Sequence, residues 1–131
     1  MGAILASGAA SLIVGFVWYG PLFGKPWSAF TGWTTEKVRS IPGGSKALTY
    51  VLTFLAAVAQ AVVLTVISRS LGATAAGDGL LLGLLSGVGF TALGFATSYL
   101  FEHKPIGLWL IVSGYEVVYL AAAGVLVTVW R

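Results

Sequence analysis

Glu116 is the carboxylate with the least polar surroundings in the sequence, which makes it the first candidate for chemistry. It follows Gly107 by nine residues within a long apolar run, about 14 Å along a helix that begins there and close to mid-bilayer. A carboxylate at this depth is costly unless it is paired or protonated. Tyr115 and Tyr119 fall within one helical turn of it, and Gln60 lies at a similar depth in an earlier apolar run. These four side chains form a predicted intramembrane polar site.

Two interpretations of Glu116 are open. In the functional one, its carboxyl takes up and releases a proton and couples proton movement to a substrate. In the structural one, a neutral Glu116 links two helices through Gln60, as intramembrane polar pairs do. Replacing Glu116 with Gln separates the two interpretations, because the change keeps a hydrogen-bonding side chain and removes the titratable group.

A second cluster of polar and aromatic residues falls in the first and third loops: Lys25, Trp27, Glu102, His103 and Lys104. As a site it would bind an anionic head group or metabolite, whereas as a hydrated turn its lysines would serve topology only. One histidine with one neighbouring carboxylate is too few ligands for a metal site. The chain has no cysteine and no Ser/His/Asp spacing, so we predict no metal, no cofactor and no catalytic residue.

Membrane helices are the elements that must position these residues. Charged residues make up 8% of the 131-residue chain, against about 25% in a soluble domain, and the mean hydropathy is +0.97. Four apolar runs each reach the roughly 20 residues that cross a hydrocarbon core as a helix. We therefore predict one domain, 1–131, that is an all-α integral membrane bundle of four transmembrane helices. Their expected bounds are about 2–19, 47–68, 79–101 and 107–130, with a structured first loop at 20–46.

The basic residues predict the orientation in the membrane. Five of them fall in the first and third loops, and Arg69 and Arg131 fall on the opposite side. By the positive-inside rule, loops 20–46 and 102–106 are cytoplasmic and both termini lie outside. The net charge of +3 is spread over the loops and makes no patch, so nucleic-acid binding is not predicted.

The ends of the first and third apolar runs resemble each other. The first reads GFxxY from residue 15 and LFGKPW from residue 22, and the second reads GFxxxY from residue 94 and LFEHKP from residue 100. As an internal repeat, this pattern gives two parallel helix hairpins related by an axis along the membrane normal. The alternative is that Phe, Lys and Pro are simply common at membrane borders.

The same segments carry a family resemblance. The segment WYGPLFGKPW at 18–27 resembles the signature of a bacterial membrane-protein family catalogued as domain of unknown function 1761. The segment YLFEHKP at 99–105, followed by LI at 110–111 and GY at 114–115, matches it in order and spacing. The resemblance implies a small four-helix protein, in the bacterial inner membrane, with no established activity.

Small residues mark faces on which helices can pack closely. The third run has Gly79, Gly83 and Gly87 at fourth-residue spacing, followed by Gly94, and such rows let helices approach each other. We expect these four glycines to make contacts within the bundle. Because a single bundle of this size has little room for an internal cavity, a transport path would form between protomers.

Three classes of function are open. The first is an oligomeric transporter or channel for a small solute or proton-coupled substrate, which Glu116, Gln60 and the repeat favour. The second is an accessory or interaction subunit of a larger membrane complex, which the small size and the glycine faces favour. The third is a membrane enzyme acting on a lipid, for which no residue pattern argues. The expected partners are the lipid bilayer and either further copies of the chain or a larger membrane complex.

Overall fold

The computed structural model describes residues 1–33 and 35–130, without the side chains of residues 35 and 38, so Arg131 lies outside the described residues. Every regular element in these ranges is helical. Four helices are long and apolar enough to cross a membrane: α1 (Gly2–Leu22), α4 (Gly43–Ser70), α5 (Ala76–Phe101) and α6 (Ile106–Val129). Two short helices occupy the first loop: α2 (Gly24–Thr31) and α3 (Thr35–Ser40). The predicted fold class, an all-α protein with four membrane helices, is confirmed.

The membrane helices extend beyond the apolar runs at their polar ends. α4 begins at Gly43, directly after Pro42, and α5 begins at Ala76, both before the predicted starts. The Asp78 carboxylate lies in the first turn of α5 and accepts the backbone N–H of Ala75 at 3.3 Å, which satisfies a donor that the helix start leaves free. Hydropathy misses such turns, because residues at the membrane border need not be apolar to be helical.

α1 ends in a π-helical turn at Trp18–Leu22. Pro21 lies inside this turn and has no backbone N–H, so the α-helical bond to the residue four positions earlier cannot form. The wider turn closes instead through Phe23, whose N–H donates to the Trp18 carbonyl at 2.8 Å. The helix therefore continues past Tyr19, where the apolar run predicted its end.

α5 contains a second π-helical segment at Gly87–Ala92, in the middle of the helix. A π turn inserts one residue into the α-helical register, so the face presented to a neighbour changes beyond it. The part of α5 before this segment packs closely along α6, and the part after it diverges from α6. The segment therefore divides α5 into a packed half and a more open half.

α6 is the central helix of the bundle. It packs against α1, α4 and α5, whereas α4 and α5 barely meet each other. In the most apolar stretch of α6, 39% of the residues are buried inside the protein, against 22% in each of the other three helices. The core consists mainly of small and aliphatic residues, with Tyr119 as its largest member: Ala3, Ala57, Ala61, Leu64, Tyr119, Leu120, Ala123 and Val127.

Two glycines bring α5 and α6 into backbone contact. A side chain at Gly79 would overlap the main chain of Gly124, and one at Gly83 would overlap the Leu120 carbonyl. Without side chains at these positions, the two helix axes can approach more closely than aliphatic residues would allow.

The row of packing glycines ends at the π segment. Gly87 continues the row, because a Cβ placed on it would lie 2.9 Å from the Cα of Val117. Gly94 departs from its expected packing role, since no atom other than those of its own helix backbone lies within 4 Å of the position that its Cβ would take. The physical reason is the residue inserted by the π segment, which turns the following half of α5 to a different face.

Candidate functional site

Glu116 lies near the middle of the central helix. It follows Ile106, the first residue of α6, by ten positions, or about 15 Å along the axis. The half-buried side chain faces α4, where the Gln60 side chain lies within hydrogen-bonding reach of the carboxyl. The next residue, Val117, contacts Gly87 of α5. The carboxyl therefore lies near the seam between α4 and α5.

One carboxyl oxygen of Glu116, Oε2, is buried and has no hydrogen-bond partner. Within the part of the chain that the structure describes, the other buried side-chain atom without a hydrogen-bond partner is Oγ of Ser113. This residue is only 4% exposed. Buried polar groups are nearly always satisfied, so each exception needs a functional or ligand-based explanation. Sequence reasoning missed Ser113, although its offset of three residues from Glu116 puts both on one face of a helix.

The two tyrosines predicted beside Glu116 use their hydroxyls elsewhere. Tyr119 donates to the Ala57 carbonyl of α4 at 2.7 Å, and Tyr115 donates to the Ser11 carbonyl of α1 at 2.9 Å. Both rings are near enough to interact electrostatically with the Glu116 carboxyl. Their structural effect is to fasten α6 to two neighbouring helices at the level of the carboxyl.

Aromatic rings connect the level of Glu116 to the side of the first loop. The Tyr115 ring packs against Tyr19 of α1 with 5.5 Å between centroids, and Tyr19 packs against Trp27 of α2 at 5.7 Å. Trp18 lies beside them and donates its indole N–H to the Ile111 carbonyl of α6 at 2.8 Å. Trp27, predicted as part of the loop site, therefore belongs to the aromatic cluster of the intramembrane site.

The remaining residues of the predicted loop site surround the turn between α5 and α6. Lys104 forms an ion pair with Glu102 at 3.0 Å and lies 4.9 Å from the centroid of the Tyr99 ring. The hydrogen bond and the negative charge of Glu102 raise the pKa of Lys104. His103 is exposed in a left-handed conformation with φ of 55°, and Lys25 is exposed on α2.

A groove of about 210 Å³ opens beside Lys104, where α5 diverges from α6. Across the divergence, the Trp109 indole N–H donates to the Ala92 carbonyl at 2.8 Å. The lining is apolar apart from one ammonium group: Ala96, Tyr99, Leu100, Lys104, Ile106 and Trp109. The groove follows from the same π segment that moves Gly94 off the helix contact.

The chemistry available near Glu116 is that of oxygen atoms. Among the described residues, no group of three His, Cys, Asp or Glu side chains comes together to hold a metal ion. The carboxyl can bind a proton, and it can act as an oxygen ligand together with its neighbours Ser113 and Gln60. No nucleophile is activated by a neighbouring base in this arrangement.

The family model described as "Protein of unknown function (DUF1761)" matches residues 2–128. No curated protein and no solved structure gives a match. The matched range includes both segments that carried the resemblance and reaches the last turn of α6. The predicted family is therefore confirmed, and the chain belongs to the DUF1761 family.

Proposed function

We propose that this protein is a transporter in which Glu116 takes up and releases a proton in the middle of the membrane while a small solute crosses. The observation that carries the proposal is the Glu116 carboxyl itself, which lies at mid-membrane with Oε2 buried and unpartnered. Ionisable residues at this depth are expensive and usually mark ion or proton pathways. A carboxyl oxygen without a partner is also free to accept a proton.

The positions of other charges support a proton-binding role. The charged groups of α4 and α5 lie near the helix ends, at Lys46, Arg69 and Asp78, too far along the helices to neutralise a mid-membrane carboxylate. The titratable side chains nearest to Glu116 are tyrosines on α1 and on α6 itself: Tyr19, Tyr115 and Tyr119. Protonation is therefore the most direct way for Glu116 to lose its charge.

The structural interpretation of Glu116 has weaker support. A carboxyl that serves only to join helices would have both of its oxygens satisfied, whereas Oε2 of Glu116 has no partner. Other groups already perform the joining, because the Tyr115 and Tyr119 hydroxyls bind neighbouring backbones. A buried Ser68–Thr128 hydrogen bond of 2.9 Å also joins α4 to α6.

The proposal includes an assembly and an orientation. We propose that the chain works as a homo-oligomer in the bacterial inner membrane, because a single bundle leaves little internal space for a solute path. The loops at 20–46 and 102–106 face the cytoplasm in this proposal, and both termini face outward. The aromatic cluster that covers Glu116 would then lie on its cytoplasmic side.

Proton movement in liposomes tests the role of Glu116. The purified protein is reconstituted into vesicles that contain a pH-sensitive dye, and a small-molecule extract of the source cells is added outside. We expect the wild type to change the internal pH in response to the extract and Glu116→Gln to reduce this rate to that of protein-free vesicles. The physical reason is that the amide keeps a hydrogen-bonding group beside Gln60 but cannot take up and release a proton.

The matched control is Glu36→Gln, which makes the same chemical change on an exposed residue of α3. It should transport at the wild-type rate. A Glu116→Gln protein that equals the wild type contradicts the proposal, and so does a wild type that never exceeds protein-free vesicles.

An accessory role is the second candidate, and the outward face of α5 favours it. Gly89 has open space where its Cβ would be, as has Gly94, and the Phe90 side chain between them is 82% exposed. Such small residues on an outward face allow another membrane helix to pack closely. Native mass spectrometry after mild extraction distinguishes the two candidates. A homo-oligomer supports the transporter, whereas an unrelated protein at fixed stoichiometry supports the accessory subunit.

A further inference from the structure

The Ser113 hydroxyl behaves differently from other hydroxyls in these helices. Ser7 and Ser11 are equally buried. The Ser7 hydroxyl donates to the carbonyl four residues earlier at 2.8 Å, and the Ser11 hydroxyl donates to the carbonyl three residues earlier at 2.7 Å. Thr65 does the same at 2.8 Å. The Ser113 Oγ makes no such bond, although Ser113 is 4% exposed and water from outside the bundle does not reach the atom. Its hydroxyl is therefore available to something other than its own helix.

Ser113 and Glu116 present their unpartnered oxygens on the same face of α6. Residues three apart on a helix have Cβ atoms about 5–6 Å apart, a spacing that lets one small ligand contact both side chains. The Gln60 side chain of α4 approaches the same carboxyl. Glu116 therefore has an oxygen-bearing neighbour on its own helix, Ser113, and another on α4, Gln60.

The π segment of α5 lies across this position. Trp109 and Val117 of α6 contact the two ends of that segment, at Ala92 and Gly87 respectively. Ser113 lies midway between these two α6 residues and so opposite the middle of the segment. A π segment disturbs the regular pairing of backbone carbonyls, and such segments inside α-helices are frequently found at functional sites.

The chemistry of these groups selects the ligand. All of them offer oxygen, which suits hard cations such as Na⁺ rather than metals that prefer nitrogen or sulfur. There is one carboxylate, so a monovalent cation gives a neutral site and a divalent cation leaves a net charge in the membrane, where charge is costly.

We propose that Ser113 and Glu116, with Gln60 beside them, form a binding site for a small monovalent cation, represented by Na⁺. The site shares Glu116 with the proposed transport function, but it concerns binding, which can be measured without any flux. Failure of one proposal can therefore be told from failure of the other.

Thermal unfolding followed by tryptophan fluorescence tests the site in the purified full chain. NaCl is titrated against choline chloride at constant ionic strength, because choline is too large to fit between two side chains. We expect Na⁺ to raise the Tm of the wild type in a saturable manner. Ser113→Ala should move the midpoint of that titration to about tenfold higher Na⁺ or more, because one ligand to a charged group is lost. Glu116→Gln should abolish the effect.

The control variant is Ser7→Ala, which removes an equally buried hydroxyl away from the site and should keep the wild-type response to Na⁺. Ser113→Ala removes an atom that has no protein partner, so its Tm in choline should equal or exceed that of the wild type. Identical Tm values for the wild type in NaCl and choline overturn the proposal. An unchanged midpoint in Ser113→Ala overturns it as well. Saturable Na⁺ binding without proton movement keeps the site and removes the transport function.

Discussion

Two tyrosine hydroxyls set the position of the central helix. Tyr119 is 1% exposed and reaches the backbone of α4, and Tyr115 reaches the backbone of α1. Each bond crosses from one helix to another in an apolar medium, where no water replaces it when it is lost. Glu116 lies between these two residues in the chain, so its orientation toward Gln60 depends on both bonds.

Replacing Tyr119 with Phe removes the hydroxyl and keeps the ring. We expect the free energy of unfolding to fall by about 0.5–1.5 kcal/mol, because one hydrogen bond between helices is lost while the packing remains. Unfolding by increasing SDS in mixed micelles measures the change. Tyr50→Phe is the matched control, because this ring is exposed and packs on Phe16 with 5.6 Å between centroids. Equal losses in the two variants would contradict the assigned role of the Tyr119 hydroxyl.

The sequence predicted part of the site at this scale. Depth along a helix can be counted from the sequence, because each residue adds about 1.5 Å, and this count placed Glu116 and Gln60 at one level. The hydroxyl partners of Tyr115 and Tyr119 depend on how far α6 is rotated against α1 and α4. That rotation is set by packing between segments distant in the chain, and the same is true of the unpartnered state of Ser113.

At the level of elements, the close contact between α5 and α6 depends on glycines, which have no side chain. Gly79, Gly83 and Gly124 let the two backbones touch. Dispersion between closely spaced backbones replaces the hydrophobic effect, which does not drive helices together in lipid. The contact is therefore sensitive to the addition of a single methyl group.

Gly83→Ala places that methyl group against the Leu120 carbonyl. We expect a loss of about 1–3 kcal/mol in the free energy of unfolding, as in other overpacked contacts. Gly94→Ala makes the same change where the structure leaves open space, and it should lose nothing, because Ala favours a helix over Gly by up to about 1 kcal/mol. Steric trapping in bicelles would measure both variants. If Gly94→Ala is the more destabilised of the two, the assigned face of α5 is wrong.

The sequence predicted the row of glycines and misplaced its end. Glycines spaced four residues apart predict one continuous packing face only where the helix keeps its α-helical register. The π segment Gly87–Ala92 breaks that register, and nothing in a glycine-rich apolar run distinguishes a π turn from an α turn. In α1 the signal exists, because Pro21 removes a backbone donor and forces the wider turn.

At the scale of the whole molecule, the loops are asymmetric in charge. The first and third loops carry Lys25, Lys37, Arg39 and Lys104, and Lys46 lies near the start of α4 on the same side. The basic residue nearest to the loop between α4 and α5 is Arg69, at the end of α4.

The four membrane spans were predictable from composition to within a few residues at each end. The packing order, with α6 at the centre, was not, since all four runs have similar hydropathy.

Single-cysteine labelling tests the predicted orientation, and the cysteine-free chain suits it without further changes. Thr74→Cys lies in the loop between α4 and α5, and Ser40→Cys lies at the end of α3; both positions are exposed. We expect a membrane-impermeant maleimide to label Thr74→Cys in intact cells and Ser40→Cys only after permeabilisation, because the more basic loops stay in the cytoplasm. The reverse pattern contradicts the orientation.

The central place of α6 also determines the order in which the protein can be made. α6 follows the other membrane helices in the chain, so the ribosome delivers α1, α4 and α5 before the helix on which all three pack. α1 and α4 can pair as they leave the insertion machinery, but α5 barely touches either of them. Until α6 arrives, the glycine face of α5 and the polar face of α4 at Gln60 are open to lipid and to other nascent chains. The contacts that α1, α4 and α5 make with α6 can therefore form only once α6 has been inserted.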